Sequence, residues 1–339
     1  MKTTKSIEFI RNKINSIEPQ MRYDGKEDFK EWQKKARAKL EELLGLPFEK
    51  CDDEFKIISE EQCDGYKSIE FEFQSEEGYY IPCTLLVPDE IKEPCAGVIC
   101  LQGHSSGKHI SLGIAKFESD ERTIPSRDFA LQAVKEGCCA IAMEQRYMGV
   151  AGQNENGAPS CIVMGEARPS LLLGRCAVGE RVWDIQRLID VIEKHLTQYI
   201  DKNKVMCLGN SGGGTATFYA SCVDERIYVS VPSCAVCTYD ASIVAMTHCE
   251  CNYVPSIRKY FDMGDIGGLI APRRFVQVNG IEDGIFPIEG AEKSFELIKE
   301  AYKQYGKEAF CRHVKGNGGH KFYAEEAWKV INELLEEND

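Results

Sequence analysis

Residues Met206-Cys207-Leu208-Gly209-Asn210-Ser211-Gly212-Gly213-Gly214 run from an apolar strand through a glycine-flanked serine toward a helix. The G-x-S-x-G spacing demands a sharp strand-to-helix turn, because only residues without a Cβ let strand and helix approach closely around the serine. Gly209 and Gly213 supply that freedom. The turn exposes the Ser211 hydroxyl as a nucleophile and aims a helix N-terminus at whatever it attacks. The free N–H of Gly212 then becomes a donor for a developing oxyanion, worth about 2.7–4 kcal/mol of transition-state stabilisation in comparable sites.

If Ser211 ends a strand of a parallel sheet, its partners must also follow strands, because ligands in such folds bind beyond the strands' carboxyl ends. Beyond residue 95 short apolar runs alternate with helical stretches: Gly97–Leu101, Cys139–Met143, Val205–Leu208, Ile227–Val231, Phe275–Val278 and Phe310–Val314. Continuous apolar runs of this length are buried parallel strands joined by crossover helices. Val182, Ile185, Leu188, Ile189 and Ile192 share one face of one such helix, and Ala324, Ala327, Trp328, Ile331 and Leu334 share a face of another. Residues 54–87 instead alternate with period two, with Glu76-Glu77-Gly78 as a turn, which predicts antiparallel edge strands. Ahead of them, Trp32, Ala36, Leu40 and Leu43 form the apolar face of a helix over 27–44, capped by Gly45 and stopped by Pro47.

The fold class expected is therefore α/β, a doubly wound and mostly parallel sheet with an antiparallel N-terminal edge. A helical N-terminal extension over 1–50 precedes a catalytic domain over 51–339. Insertions at about 150–180 and 233–265 fit neither periodicity and are candidate lids over the site.

Two further groups fall just after apolar runs. Asp283 lies in Asn279-Gly280-Ile281-Glu282-Asp283-Gly284-Ile285-Phe286-Pro287, and His320 lies in Lys315-Gly316-Asn317-Gly318-Gly319-His320. A serine, an acid and a histidine in that chain order imply attack by Ser211, proton transfer by His320, and orientation of the imidazole by Asp283. Glu282 is the rival acid. A second oxyanion donor is expected from the loop Leu101-Gln102-Gly103-His104-Ser105-Ser106-Gly107, through the backbone N–H of His104. His195, His313, His109 and His248 sit on a helix, within a strand or in irregular stretches, and are weaker choices for the base. Glu144, Arg146 and Asp184 read as structural ion pairs near the site.

Together the turn around Ser211, the acid and histidine loops, the segment His248-Cys249-Glu250-Cys251-Asn252-Tyr253-Val254-Pro255 and the segment Asp265–Pro272 resemble bacterial α/β-hydrolases of the dienelactone-hydrolase-like and acetyl-xylan-esterase-like group. The resemblance also covers Leu43-Leu44-Gly45-Leu46-Pro47 and Glu144-Gln145-Arg146-Tyr147-Met148-Gly149. It implies a carboxylester hydrolase with acyl-enzyme chemistry and no metal or other cofactor. Dienelactone hydrolases proper use a cysteine nucleophile where this chain has Ser211, and glucuronoyl esterases carry an arginine beside the serine where this chain has Asn210 and Gly212. Small soluble esters, acetylated sugars among them, are the expected substrates. Tyr239, Met246, His248 and Tyr253 are candidate pocket walls.

Two rivals stand beside this reading. A serine peptidase of the prolyl-oligopeptidase type shares the triad order, but its usual propeller domain does not fit into 339 residues. A metal- or thiol-dependent regulatory binding protein with a vestigial triad is the other, since Cys234, Cys237, His248, Cys249 and Cys251 place five soft ligands within eighteen residues. The C-x-C spacing of Cys249 and Cys251 departs from the C-x₂₋₄-C of structural zinc modules, which favours packing for this cluster.

A net charge of −13 opposes nucleic-acid backbones and anionic membranes, and no apolar run approaches the roughly 20 residues a bilayer requires. The N-terminal residues lack a secretory signal pattern, so a cytoplasmic setting is expected, with the sixteen cysteines reduced and packed as small apolar residues. The sequence leaves the oligomeric state open.

Overall fold

The computed structural model describes residues 2–152, 158, 160–163 and 165–337, so part of the expected 150–180 insertion lies outside the described residues. Nine strands form one sheet: β1 (Lys56–Gln62), β2 (Tyr66–Glu76), β3 (Tyr79–Pro88), β4 (Cys95–Leu101), β5 (Cys139–Met143), β6 (Ile200–Asn210), β7 (Ile227–Ser233), β8 (Arg274–Gly280) and β9 (Cys311–Gly316). Their spatial order is β1-β2-β3-β5-β4-β6-β7-β8-β9. β1, β2 and β3 pair antiparallel, β3 meets β5 antiparallel, and every pairing from β5 across to β9 is parallel. This is the α/β-hydrolase fold with the expected antiparallel N-terminal edge.

Burial explains the strand compositions. Every residue of β5 and β8 is buried, as strands covered on both faces require, whereas β1 is exposed throughout. As an edge, β1 carries Lys56, Glu60 and Glu61, and the Lys67–Glu60 ion pair at 2.6 Å adds charge where bare strand edges invite pairing with another chain.

The helix Phe29–Leu44 starts at Asp28, whose side chain accepts the N–H groups of Lys30 and Glu31, and ends at Gly45 in the left-handed conformation (φ +78°). It buries Phe29, Trp32, Ala36, Leu40 and Leu44 against the helices Ala177–His195 and Gly212–Val223 on one face of the sheet. A Cβ on Gly179 would lie 2.1 Å from the Leu44 carbonyl oxygen, so glycine there is what lets the two helices approach. The helices Phe129–Lys135 and Ala324–Glu336 cover the opposite face, joined by Trp328 Nε1 donating to Gln132 Oε1 at 3.2 Å. No helix of the described residues is long and apolar enough to cross a membrane.

Candidate active site

The parallel strands β4, β6, β7, β8 and β9 bring their carboxyl ends to one edge of the sheet, and the predicted chemical groups sit there. Ser211 directly follows β6 and precedes the helix Gly212–Val223, at φ +56°, ψ −121°. That conformation is rare for a residue with a side chain and costs on the order of 1–3 kcal/mol. The surroundings enforce it. A Cβ on Gly209 would lie 2.5 Å from Gly213 carbonyl atoms, and one on Gly213 would lie 2.2 Å from the Leu101 carbonyl oxygen. Strand, turn and helix thus touch through bare backbone, and the Ser211 N–H donates to the Ser233 carbonyl at the end of β7 (2.8 Å).

Asp283 follows β8 and His320 follows β9. Backbone hydrogen bonds stitch their loops together, from Ile281 N to Gly316 O (3.0 Å) and from Glu282 N to Gly318 O (2.8 Å). The Asp283 side chain is fully buried and accepts three hydrogen bonds: from Ile285 N (2.8 Å) and Phe286 N (3.1 Å) on one oxygen, and from His320 Nδ1 (2.8 Å) on the other. Burial alone would raise its pKa, but the His320 bond and the two amides outweigh it and hold the carboxyl below the ordinary carboxylate value. Glu282 points to solvent. Phe286 lies nearly parallel to the His320 ring, 6.0 Å away between centroids.

The loop after β4 passes against the serine. A Cβ on Gly103 would come within 2.8 Å of the Asn210 carbonyl oxygen and 3.0 Å of Ser211 Cβ, and the next residue, His104, lays its ring over Gly212. Gly212 opens the helix, where the first amides have no intrahelical acceptor. The Gly212 and His104 backbones therefore flank Ser211.

The four predicted pocket walls separate. His248 lies by the site: its ring meets Phe286 edge-on at 5.6 Å, and burial together with the neighbouring His104 and His320 rings keeps its pKa below the ordinary value. Tyr239, Met246 and Tyr253 instead line a groove of about 430 Å³ between the helix Ser6–Asn15 and residues 239–259, whose lining includes none of Ser211, Asp283 or His320. Tyr239 is also core, buried with its hydroxyl against that of Tyr219.

The expected ion pairs are present. Arg146 makes two hydrogen bonds of 2.8 Å to Asp184 and one of 2.7 Å to Glu76. Glu144 stands apart from them and accepts the N–H groups of Lys108 (3.1 Å) and Val150 (3.4 Å). A second Ser-His-Asp group, Ser106 in the loop after β4 with His109 and Asp120 on the short helix and the helix that follow it, is buried. Here serine and histidine both bond the same carboxylate, at 2.5 and 2.9 Å, and Lys116 N and Phe117 N cap it, as in a loop staple.

The five soft ligands between residues 234 and 251 do not converge: Cys234 and Cys237 follow β7, while His248, Cys249 and Cys251 lie at and just before the turn Glu250–Asn252. Cys237 packs on Gly290, with its sulfur 3.5 Å from the Pro287 carbonyl oxygen. Cys234 lies behind the acid, forming a group with Asp283 and His320. Cys249 and Cys251 instead meet Cys161 and His104, two partners the sequence spacing does not reveal.

A search of known proteins places this architecture among relatives. The chain is 24% identical over 242 residues, 70% of its own length and 77% of the relative's, to YtaP, a candidate hydrolase of Bacillus subtilis (strain 168). In structure it is similar to a candidate acetyl xylan esterase from Bacteroides fragilis NCTC 9343, with a TM-score of 0.80 at 19% identity over 98% of this chain and 96% of that one. It is also similar to a glucuronoyl esterase from Solibacter usitatus, with a TM-score of 0.70 at 14% identity over 93% and 96% of the two chains. A single family model spans residues 4–338, and with nearly the whole chain matched, this protein belongs to the Abhydrolase family.

Proposed function

We propose that this chain is a serine carboxylester hydrolase that works through an acyl-enzyme on small esters, acetylated sugars among them. The observation that carries the reading is the strained Ser211 at the end of β6, on the same sheet edge as a buried Asp283 bonded to His320 Nδ1 at 2.8 Å. With Nδ1 donating to Asp283, Nε2 of the neutral ring is the free base.

In this mechanism Ser211 Oγ attacks the acyl carbon while His320 Nε2 takes the hydroxyl proton, and the negative charge forms on the carbonyl oxygen. The N–H groups of Gly212 and His104 receive that oxyanion. Collapse expels the alcohol, which leaves with the proton from His320. Water then attacks the acyl-serine with His320 as base, releases the acid and restores Ser211. Asp283 remains ionised throughout and balances the transient imidazolium.

Substrate class rests on two supports. Asn210 and Gly212 stand where glucuronoyl esterases carry an arginine next to the serine, and the cation near Ser211 is instead Arg127, whose Nη1 would lie 3.0 Å from a Cβ on Gly103; the loss of that adjacent arginine favours neutral acyl sugars over glucuronoyl esters. The structural neighbours named for carbohydrate esters point to the same alcohol class.

The test is intact mass after a fluorophosphonate probe, for the wild type and Ser211→Ala, followed by initial rates on an aryl acetate and on acetylated sugars. One adduct on the wild type, none on the variant, and acetate release support the proposal. No adduct on either chain overturns it, and turnover of a proline-containing amide in place of acetates would favour the peptidase reading.

A further inference from the structure

His104, Cys161, Cys249 and Cys251 come from three separate stretches: the loop after β4, the short helix Ser160–Val163, and the turn Glu250–Asn252 with the residue before it. Their ligand atoms, one ring nitrogen and three sulfurs, all lie within 4.8 Å of one another, and Cys249 Sγ is 3.3 Å from Cys251 Sγ. We infer that these four side chains form a Cys₃His site for one zinc ion, beside the nucleophile turn and separate from the triad.

Size fits the assignment. A tetrahedral zinc with bonds of about 2.3 Å to sulfur sets its sulfur ligands about 3.8 Å apart, so closing the cluster on the ion needs movements of an ångström or less. The ligand set fits too: three thiolates and an imidazole are a soft, closed tetrahedron, the kind that holds zinc structurally.

Charge supplies an independent argument. Arg181 is 1% exposed, and among the described residues it has no carboxylate partner. Its guanidinium donates to the Arg146 carbonyl oxygen at 2.8 Å and to Cys161 Sγ at 3.9 Å, so the groups available to balance it are the cluster's sulfurs. A buried cation needs a counter-charge. Three thiolates against one guanidinium leave a charge of −2 in the interior, which a divalent cation cancels. Nε2 of His104 is also buried and makes no hydrogen bond among the described residues, an uncommon state for a ring nitrogen.

Sequence spacing hides this site. Cys249-x-Cys251 provides half of a ligand set, and the other half lies far upstream at 104 and 161. The site staples the loop after β4 to the two inserted segments, and it stands whether or not the hydrolase reading does.

The experiment is elemental analysis of the full chain, purified without a metal-affinity resin or chelator, with cobalt substitution as a second readout. About one equivalent of zinc per chain is expected, and tetrahedral cobalt should give sulfur-to-metal charge transfer and intense visible bands. Cys251→Ser should lose the metal, while Cys237→Ser, whose sulfur lies outside the cluster, should keep it. Should Cys251→Ser fail to fold, the wild-type cobalt spectrum still decides. No zinc above background with no thiolate-bound cobalt overturns the site, as does a wild-type mass showing a disulfide among these cysteines or equal metal loss in Cys237→Ser.

Discussion

Asp283 shows how a carboxylate is kept ionised in a dry place. Two backbone amides and the His320 ring offset its burial, so its folded pKa lies below the unfolded value of about 3.9. The sign follows: a depressed acid contributes stability that is present above the unfolded value and lost as pH falls through the folded one. Asp283 therefore supports both fold and imidazole across the neutral range. Asp283→Asn removes the charge and presents an amide to Nδ1, favouring the wrong tautomer. We expect kcat on an aryl acetate to fall about 10⁴-fold with little change in KM, as for loss of a triad acid elsewhere. A drop of less than tenfold in a folded variant would mean that another group orients His320.

Residues of this kind are legible in sequence because their signals are local. Ser211 is framed by glycines, and Asp283 and His320 each follow an apolar run. The ring of His104 over Gly212 and its meeting with Cys161 are contacts across long stretches of chain, which no periodicity reports. For the same reason Tyr239, Met246 and Tyr253 were legible as apolar side chains but not as the walls of a different groove.

Among the elements, buried parallel strands are the most readable. The run Cys139–Met143 is β5 itself, four of the other apolar runs lie inside strands that the structure extends by two or more residues, and the run Phe310–Val314 begins one residue ahead of β9. The helix Glu118–Arg127 has no such signal, because it buries only Asp120 and contains Pro125. Glu144, just beyond β5, links two loops in the same way that hides it from sequence. It accepts amides from Lys108 after β4 and from Val150, and a Cβ on Gly149 would fall 2.4 Å from its carboxylate. Burial raises its pKa from the ordinary 4.5 to about 7, against the opposing pull of Lys108 and the two amides. A raised carboxyl binds its proton more tightly in the folded chain, so stability falls as pH rises through the window from about 4.5 to about 7, by roughly 3 kcal/mol if no other group compensates. Glu144→Gln is neutral at every pH and should flatten that slope. Denaturant melts of both proteins at the two ends of the window test it, and parallel pH profiles would show that Glu144 ionises freely in the folded state.

At the scale of the molecule, the question is whether the leading helix is a removable extension or part of the cooperative unit. The sequence shows an amphipathic helix that must cover something, but not what it covers, since its partners lie more than a hundred residues away. In the structure Gln33 donates to the carbonyls of Gly268 (3.0 Å) and Ala271 (2.9 Å), and Arg37 donates to those of Cys222 and Leu269 (both 3.1 Å). The Cys222 carbonyl lies in the last turn of the helix Gly212–Val223, and Gly268, Leu269 and Ala271 lie in or just after the short turn Gly268–Ile270 packed against that helix, so the leading helix buttresses the element that follows Ser211. Leu40 is fully buried in this contact. Leu40→Ala should cost about 2–5 kcal/mol through lost burial and the cavity left behind. If the helix belongs to the cooperative unit, that loss moves the whole unfolding transition, with far-UV circular dichroism and tryptophan fluorescence still coincident, since Trp32 reports the helix while Trp183 and Trp328 report the body. If it is an extension, the variant should show an early partial transition in which Trp32 is exposed and the main midpoint stays put. Given the glycine-enabled contact of Gly179 with the Leu44 carbonyl and four side-chain hydrogen bonds into the body, the first outcome is the one the packing requires.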